Sequence, residues 1–342
     1  MLTPSIVPFQ LILDALVAEE TPFDPRYLHR LSDLEKAELE KLQAIWERIP
    51  AWRRQAIMED VEELSKKDSL LDFVALSRLA LQDEDGKIRL SAVRTLGDYE
   101  ENNLSQVFLH LLETDEDTDV RTAAAGALGR FVYAGELDEI SATQLRTIED
   151  ALLGVINSDE APCIRCAALE AMGYSSRDEV TALIKTAYDS SDPNWKASAL
   201  LAMGHSANVD WQPQVMAMLR NKLPLLRTQA ARAAGELEIS EAVPYLIELL
   251  DDPDDDTGKS SIWSLSQIGG GGVRESLESM QEETEDDRDF DFLESALENL
   301  SFTEDLQLMP LFDFPENEVE NLDEYDLDDT PESFEDDEDS DY

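Results

Sequence analysis

The pair Cys163 and Cys166 is the part of this sequence whose spacing comes closest to a reactive site. The two residues form a C-x-x-C motif directly after Pro162, where we expect a helix to begin. Backbone N–H groups at a helix start lower the pKa of a thiol, so the pair could support redox chemistry. No strand precedes the motif, and it falls inside a helix pattern that recurs along the chain. A structural role of the pair is therefore the alternative.

Other patterns that could do chemistry are incomplete. Zinc needs four ligands, and His29, His110 and His205 lie in other predicted elements than the cysteines. The glycine run at 269–272 lacks the preceding strand and the GK[ST] ending of a phosphate-binding loop, so we expect a turn there. We predict no catalytic residue, no metal and no cofactor, and we expect a protein that is not an enzyme.

The charge of the chain restricts its ligands. Its 342 residues include 27 Lys and Arg against 77 Asp and Glu, a formal charge of −50. Such a surface repels phosphate groups and anionic membranes, so we exclude nucleic acid and membranes as partners. No signal-peptide pattern or long apolar window is present, and a chain with only two cysteines fits a reducing compartment. We therefore predict a cytoplasmic protein.

The elements that must position any site come from a repeated block. Six copies are aligned on a basic position and its equivalent, namely Arg89, Arg121, Arg165, Lys196, Arg227 and Gly258. Apolar residues at −1, small residues at +3 and mostly apolar residues at +7 trace one face of a helix. We expect four N-caps at Asp85, Asp117, Asp192 and Asp254. We expect the glycine at +8, such as Gly173, to end each helix in a left-handed conformation.

An amphipathic helix also precedes each block, so the unit is helix, acidic turn, helix. The basic position, with acidic residues in the turns, is expected to form a ladder of ion pairs between successive turns. An insertion of about 12 residues near 132–143 separates the second and third copies, and we expect it to bulge as a loop.

This pattern of aspartate-rich turn, apolar-Arg, Ala and Ala-Leu-Gly resembles HEAT repeats, in particular the short repeats of phycobilisome-lyase-like (E-Z type) proteins. The resemblance covers about residues 70–266, and the sixth copy departs from it because Gly258 replaces the basic residue. The resemblance implies an all-α, right-handed α-solenoid of about eight helical hairpins.

We divide the chain into four parts. Residues 1–69 form an N-terminal helical cap, 70–268 the repeat array, 269–302 a C-terminal helical cap, and 303–342 an acidic tail. The tail carries 18 acidic and no basic residues, so we expect it to be disordered. In the N-terminal cap we predict a capping box at Ser32 and Glu35, and packing anchors at Trp46 and Trp52.

One face of the second helices is a candidate binding groove. Positions +1 and +5 point away from the core and form an apolar and basic ridge with a single acid, which is typical of a recognition surface. The predicted groove residues are Leu90, Arg94, Leu201, Arg232, Lys259 and Trp263. An ordinary solvated surface is the alternative.

The tail contains a second candidate motif. Its apolar residues are Leu306, Leu308, Met309, Leu311, Phe312 and Phe314. They could dock in the groove of a partner, dock in the groove of this chain in competition with a partner, or seal the last helix pair.

We interpret the protein as a monomeric, non-enzymatic protein-binding scaffold or adaptor for partners with a basic or mixed basic-apolar surface. The alternatives are a bilin-lyase-like chromophore attachment factor, which the resemblance implies, and a redox-active protein using Cys163 and Cys166. The His-Glu pairs of a di-iron hydroxylase with similar repeats are missing, because Leu111 follows His110 and Ser206 follows His205. The basic face of a DNA glycosylase is opposed by the charge of −50.

Overall fold

The computed structural model describes residues 7–308 except 100 and 102, and it describes side chains as far as residue 306. In this part of the chain the secondary structure consists of seventeen α-helices, short 3-10 segments and turns. In chain order, α1 to α17 are Phe9–Val17, Lys36–Ile45, Ala51–Lys67, Val74–Ala80, Gly86–Leu96, Leu104–Thr114, Thr118–Glu136, Ala142–Ile156, Pro162–Met172, Asp178–Tyr188, Pro193–His205, Gln212–Met218, Pro224–Glu236, Val243–Glu248, Asp255–Ile268, Val273–Glu283 and Asp287–Leu308.

The helices form two rows. From α4 onward, each even-numbered helix packs against the odd-numbered helix that follows it, which gives seven hairpins up to α16 and α17. The odd-numbered helices α3 to α17 also pack in succession against one another and form the second row. Contacts between successive helices of the first row are less extensive. The array therefore curves with the second row on its concave side, and the predicted helical solenoid is confirmed.

Small residues set the close spacing of the second row. The residues at +3 of the six copies are all fully buried: Ala92, Ala124, Ala168, Ala199, Ala230 and Ser261. The residues at +7, such as Leu96 and Met203, are equally buried. The apolar face predicted from the 3.6-residue period is therefore confirmed. Most of it lies in the hydrophobic core that runs from Val74 to Leu300, whereas Ile88 and Ala92 of the first copy lie in the core of the N-terminal part.

The predicted aspartate caps are present. The side chains of Asp85, Asp117, Asp192 and Asp254 each accept a hydrogen bond from a backbone N–H of the first turn of the helix that follows. Such a bond satisfies one of the donors that a helix start leaves without a partner. The acidic turns therefore have a structural function in addition to their charge.

The predicted ladder of basic residues is confirmed in three copies. Arg89 donates two hydrogen bonds to Asp115 at 2.9 and 2.8 Å. Arg227 binds Asp252 in the same bidentate way at 2.7 and 2.6 Å. Arg121 pairs with Glu160 in the third case, at 2.6 Å. Each acidic partner lies in the turn of the next hairpin, so each pair joins neighbouring repeats. Arginine at these positions thus has a structural role.

The repeat glycines do not end their helices in a left-handed conformation, and that prediction is wrong. Gly173 has a φ of −54°, and Gly204 lies inside α11. A Cβ on Gly173 would lie 2.7 Å from Cα of Ala202, and one on Gly204 would lie 3.1 Å from Cα of Ala233. These glycines allow neighbouring second-row helices to approach closely. The left-handed residue follows later, for example at Ala207 with a φ of 49°.

The insertion between the second and third copies does not form a loop. It extends α7 to 19 residues and α8 to 15 residues. Phe131 and Val132 are buried in the core, so the added turns of α7 have an apolar face of their own. A Cβ on Gly135 would lie 2.6 Å from Cδ1 of Leu145, which shows how closely the two lengthened helices pack. The hydrophobic content of the insertion therefore favours helix over loop.

The N-terminal cap differs from its prediction in two details. Ser32 is not an N-cap: α2 begins at residue 36, and the Ser32 hydroxyl instead accepts a hydrogen bond from the backbone N–H of Asp72 at 2.8 Å. Trp46 is buried and donates to Asp83 at 2.7 Å, as expected of a packing anchor. Trp52 is 58% exposed, and its ring lies against the guanidinium of Arg53 rather than in the core.

The last helix extends beyond the predicted start of the tail. Helix α17 ends at residue 308, and it remains tied to the array past residue 302. Thr303 donates to the backbone carbonyl of Ser266 at 3.1 Å, and Glu304 accepts from Arg274 at 2.5 Å. Residues 303–308, which we expect to belong to the disordered tail, are thus helical, and the first two of them contact the array. The rest of the tail that we expect to be disordered, residues 309–342, lies outside the described residues.

Candidate binding groove

The concave side of the array contains two hollows. The larger one has a volume of about 1200 Å³ and is lined by the second-row helices α3, α5, α7, α9 and α11 with the turns that follow them. The smaller one has a volume of about 370 Å³ and lies between α13, α15 and α17. Together the two hollows, here called the groove, follow the second row from α3 to α17.

Five of the six predicted groove residues line these hollows. Arg94 and Leu201 line the larger hollow. Arg232, Lys259 and Trp263 line the smaller one. The sixth residue, Leu90, is half-buried, packs against the core and does not line either hollow. The helical period therefore placed these residues on the concave side, whereas their role in binding stays a prediction.

The groove carries both signs of charge. Glu62, Asp98 and Asp119 line the larger hollow together with its cations. The guanidinium of Arg94 lies 4.0 Å from the Glu62 carboxylate. In the smaller hollow, Lys259 is 2.7 Å from Asp255 and 3.5 Å from Asp289, on α15 and α17. The acids next to the predicted ridge make the groove a mixed-charge surface rather than a basic one.

A row of aromatic residues crosses the larger hollow and was not predicted. The rings of Tyr174 and His205 are stacked with centroids 4.1 Å apart and planes 9° apart. Tyr133 meets Tyr174 edge to face at a centroid distance of 5.4 Å. Tyr133 remains 51% exposed, whereas the His205 side chain is only 13% exposed. A partly exposed aromatic row is a surface that can hold a cationic or apolar side chain.

The sequence carries a signal for part of this row. The residue at +9, which follows the repeat glycine in five copies and Ser266 in the sixth, lines the groove in every copy. In order these residues are Asp98, Arg130, Tyr174, His205, Glu236 and Gln267. The prediction that the helix ends at the preceding glycine excludes these +9 residues, here called the +9 column, from the helical face. Because the helix instead continues to the glycine or past it, the column faces the groove.

Two carboxyl groups lie beside the aromatic row. Burial raises the pKa of Glu170, whose carboxylate accepts a hydrogen bond from the Ser198 hydroxyl at 2.5 Å. Partial burial raises the pKa of Glu236 to about 7, although the charge of Arg232 opposes the shift. Burial also lowers the pKa of His205 and raises that of Tyr174 to about 12. The centre of the groove is therefore a poorly hydrated environment for charge.

A family model for HEAT repeats matches residues 40–129, 73–148 and 212–301, more than half of the chain. The chain belongs to the HEAT-repeat family. The HEAT resemblance expected from the sequence is thereby confirmed, and the matched ranges include the N-terminal helix α3 and the C-terminal cap. No curated protein matches the chain in a comparison of sequences.

Three solved structures illustrate what this HEAT protein is similar to. YibA from Escherichia coli is 15% identical, with 72% of this chain and 96% of that chain covered and a TM-score of 0.38. The complex of CpcE and CpcF of phycocyanin lyase from a Nostoc species is 20% identical, with 66% and 94% covered and a TM-score of 0.43. Human deoxyhypusine hydroxylase is 16% identical, with 76% and 95% covered and a TM-score of 0.35. The family assignment rests on the repeat model and on the paired helices.

The cysteine pair sits in the first turn of α9 in the third HEAT repeat. Cys163 is exposed, Cys166 is buried, and both are free thiols. Burial raises the pKa of the Cys166 thiol, so the predicted lowering by the helix start is wrong for this residue. A thiol with a raised pKa is less reactive, which favours a structural role of Cys166, whereas a redox role of the pair stays an alternative.

Two further findings concern the part of the HEAT array that the structure describes. Within residues 7–308, apart from 100 and 102, no group of three or more His, Cys, Asp or Glu side chains could hold a metal ion. No helix in the same residues is both long enough and apolar enough to cross a membrane.

The apolar tail motif is described only at its start. Leu306 belongs to α17 and is 43% exposed, so it does not seal the last HEAT hairpin completely. The side chain of Leu308 is not described. Met309, Leu311, Phe312 and Phe314 lie outside the described residues. Docking of this motif stays a prediction.

Proposed function

We propose that this HEAT-repeat protein is a non-enzymatic scaffold or adaptor that binds a segment of a partner protein along its groove. The observation that carries the proposal is the larger hollow, which is open, has a volume of about 1200 Å³ and spans five successive second-row helices. A closed pocket suits a small molecule, whereas a long open surface suits a polypeptide. The exposed Tyr133 and Trp263 provide aromatic anchors of the kind that dominate binding energies at protein interfaces.

The partner of this scaffold has a basic or mixed basic-apolar surface. A net charge of −50 attracts basic proteins over long distances and increases their rate of association. Within the groove, the acids Glu62 and Asp119 lie beside cations such as Arg94. A segment with separated basic and apolar residues would match this pattern. We further propose that the protein is monomeric and cytoplasmic, in keeping with its two free thiols.

Two glycines offer a matched test of the proposal. Gly126 on α7 lines the larger hollow, whereas Gly154 lies on α8 in the first row. Both are exposed, and a Cβ at either position would meet no atom within 4 Å. A tryptophan can therefore be introduced at either position without a clash at its Cβ. Gly126→Trp fills part of the groove, and Gly154→Trp makes the same change on the opposite side.

The measurement is affinity capture from an extract of the source cells with each purified variant, followed by quantitative mass spectrometry. We expect Gly126→Trp to lose most of the partner captured by the wild-type protein, whereas Gly154→Trp retains it. Both variants should unfold at temperatures no lower than the wild type, because tryptophan has a higher helix propensity than glycine. Equal capture by the two variants would show that the partner does not use the groove.

A further inference from the structure

Two hydrogen-bond acceptors face each other in the groove. Nδ1 of His205 lies 2.9 Å from the backbone carbonyl oxygen of Glu170, and because a carbonyl can only accept, Nδ1 carries the proton. Burial lowers the pKa of His205 and so favours the neutral ring. In the neutral ring Nε2 is then an acceptor. It lies 3.8 Å from Oε2 of Glu236, which is also an acceptor when ionised.

The charge of nearby Arg232 opposes the burial that raises the pKa of the Glu236 carboxyl, but among the described residues Arg232 makes no hydrogen bond or ion pair with this carboxyl. The nearest cation on the same helix, Arg232, directs its Nε to the Ser260 hydroxyl at 3.2 Å, toward the next repeat. In the described part of the chain, we find Glu236 in no ion pair other than the one with His205. Its carboxylate lies over Gly204, where a Cβ would be only 2.7 Å from Oε2. The missing side chain at Gly204 thus makes room for this carboxylate at the groove.

Aromatic faces border the same part of the groove. Tyr174 stacks on the His205 ring, and Tyr133 extends the row toward the α5 side of the hollow. Aromatic faces attract cations, and the attraction increases where water is partly excluded. Glu170 adds a second carboxylate behind the ring, held by the Ser198 hydroxyl. The surroundings therefore favour a positive group with several N–H donors.

We propose that Nε2 of His205 and the Glu236 carboxylate, here called the His205–Glu236 subsite, together bind the guanidinium group of an arginine side chain from the bound partner, which bridges the two acceptors from the groove. A planar guanidinium can donate to Nε2 and to the carboxylate at the same time and lie against the tyrosine rings. An anionic group would meet two acceptors, and an apolar group would leave both without donors. The inference rests on the proposed function, because the arginine belongs to the segment that lies in the groove.

The subsite can be tested without knowledge of the partner. The probe is Nα-acetyl-arginine methylamide, and its neutral isostere, Nα-acetyl-citrulline methylamide, is the control ligand. Binding is followed at pH 8 through the ring resonances of His205 in tag-free protein, since the chain has only three histidines. We expect a saturable shift of the His205 signal with the arginine probe and an affinity at least about tenfold lower for the citrulline probe.

Two variants show whether the carboxylate is responsible. Glu236→Gln removes the charge with little change of shape, and it should lower the affinity for the arginine probe at least about fivefold. Glu241→Gln removes the same charge from an exposed residue of the next 3-10 segment and should leave the affinity unchanged. Glu236 is itself 34% exposed, so we expect both variants to fold, which thermal unfolding verifies.

Equal shifts with the arginine and citrulline probes, no shift of His205 at saturating probe, or unchanged affinity in Glu236→Gln would each overturn the inference. These outcomes are distinct from a failure of the proposed function. Suppose that Gly126→Trp abolishes capture of the partner, whereas Glu236→Gln changes neither this capture nor the affinity for the probe. The groove then binds the partner, but the subsite does not hold arginine.

Discussion

The residue at +9 lines the groove in all six copies, as does the residue at the predicted ridge position +5. Tyr174, His205 and Glu236 occupy this column in three successive copies, and they bring an aromatic ring, an imidazole and a carboxyl group together. Sequence reasoning placed Arg94 and Trp263 on the concave side because they obey the helical period. It did not predict the residues at +9, because a helix that ends at the glycine would have no face at the next residue.

At the scale of single residues, we predict that Glu236→Gln stabilises the protein at pH 8 more than at pH 5.5. Burial raises the pKa of the Glu236 carboxyl from 4.5 to about 7. Between these values the unfolded chain has lost the proton while the folded protein keeps it, so the wild type loses stability as the pH rises through this range. Because glutamine does not ionise, the variant does not lose this stability as the pH rises.

The measurement is the difference in melting temperature between Glu236→Gln and the wild type at the two pH values. The difference should become more positive from pH 5.5 to pH 8. Glu241→Gln, with an exposed carboxyl, serves as the control and should show the same difference at both values. A difference that does not change with pH in Glu236→Gln would mean that the carboxyl is hydrated like an exposed one.

At the scale of helices, the starts were predicted better than the ends. An aspartate cap acts through a local hydrogen bond, so Asp85 and Asp117 could be recognised from neighbouring residues alone. The end of a helix at glycine has two physical explanations, a left-handed cap or a close approach of another helix. Only the position of the next repeat decides between them. At Gly173 the backbone of Ala202 on α11 fills the space, and this contact is not visible in the sequence.

The helical conformation of the insertion in α7 and α8 could not be predicted for the same reason. The insertion could be located from the irregular repeat spacing, but its conformation depends on tertiary contacts. Val132 is fully buried, and Leu145 fills the space above Gly135. Loops are exposed because buried backbone needs hydrogen-bond partners, and a helix provides these partners internally.

We predict that Gly173→Ala destabilises the protein by about 1–3 kcal/mol, because the new methyl group would overlap the backbone of Ala202 and force α9 and α11 apart. Gly126→Ala is the matched control, since its Cβ meets open space inside a helix. It should stabilise the protein by about 0.5–1 kcal/mol through helix propensity.

Denaturant unfolding of both variants and the wild type gives the two free energies of unfolding. The same sign of change in both variants would contradict the assignment of Gly173 to a helix–helix contact. Such a result would instead favour glycine as a terminator with no packing role.

At the scale of the whole molecule, the acidic residues both join the hairpins and set the charge of the surface. The acidic turns form the ladder with Arg89 and Arg227, and this ladder joins hairpins into one array. The remaining excess of acid gives a chain that attracts basic partners. The solenoid could be predicted from the repeats, whereas the mixed charge of the groove could not. Acids such as Glu62 and Asp98 lie outside the aligned ridge positions and reach the groove only through the stacking of α3 and α5.

We predict that residues 309–342 compete with the partner for the groove. Thr303 near the end of α17 contacts Ser266 near the end of α15, and the 34 residues that follow Leu308 are long enough to reach Arg232 and Lys259 in the smaller hollow. A tethered segment has an effective concentration of order millimolar, so a weak contact with these cations is sufficient. Removal of the tail after Leu308 should therefore increase the affinity for the partner at low salt.

The test compares the partner affinity of the full chain with that of a chain ending at Leu308, at low and at high ionic strength. The gain should decrease at high salt, because the Debye length is about 8 Å at physiological ionic strength and shorter above it. A peptide of residues 309–342 added to the shortened chain should restore competition. Equal affinities at low salt, with no effect of the peptide, would show that the tail does not occupy the groove.

We expect the concave groove to be the surface that meets the partner. Photo-crosslinking tests it most directly, with a photoreactive amino acid introduced at position 126 in one variant and at position 154 in another. A Cβ at either position would meet no atom within 4 Å, and the two positions lie on helices of different rows. After irradiation in the source cells, mass spectrometry of the adducts should identify one partner crosslinked from position 126 and absent from position 154. Crosslinks to that partner from position 154 alone, or equally from both positions, would contradict the account.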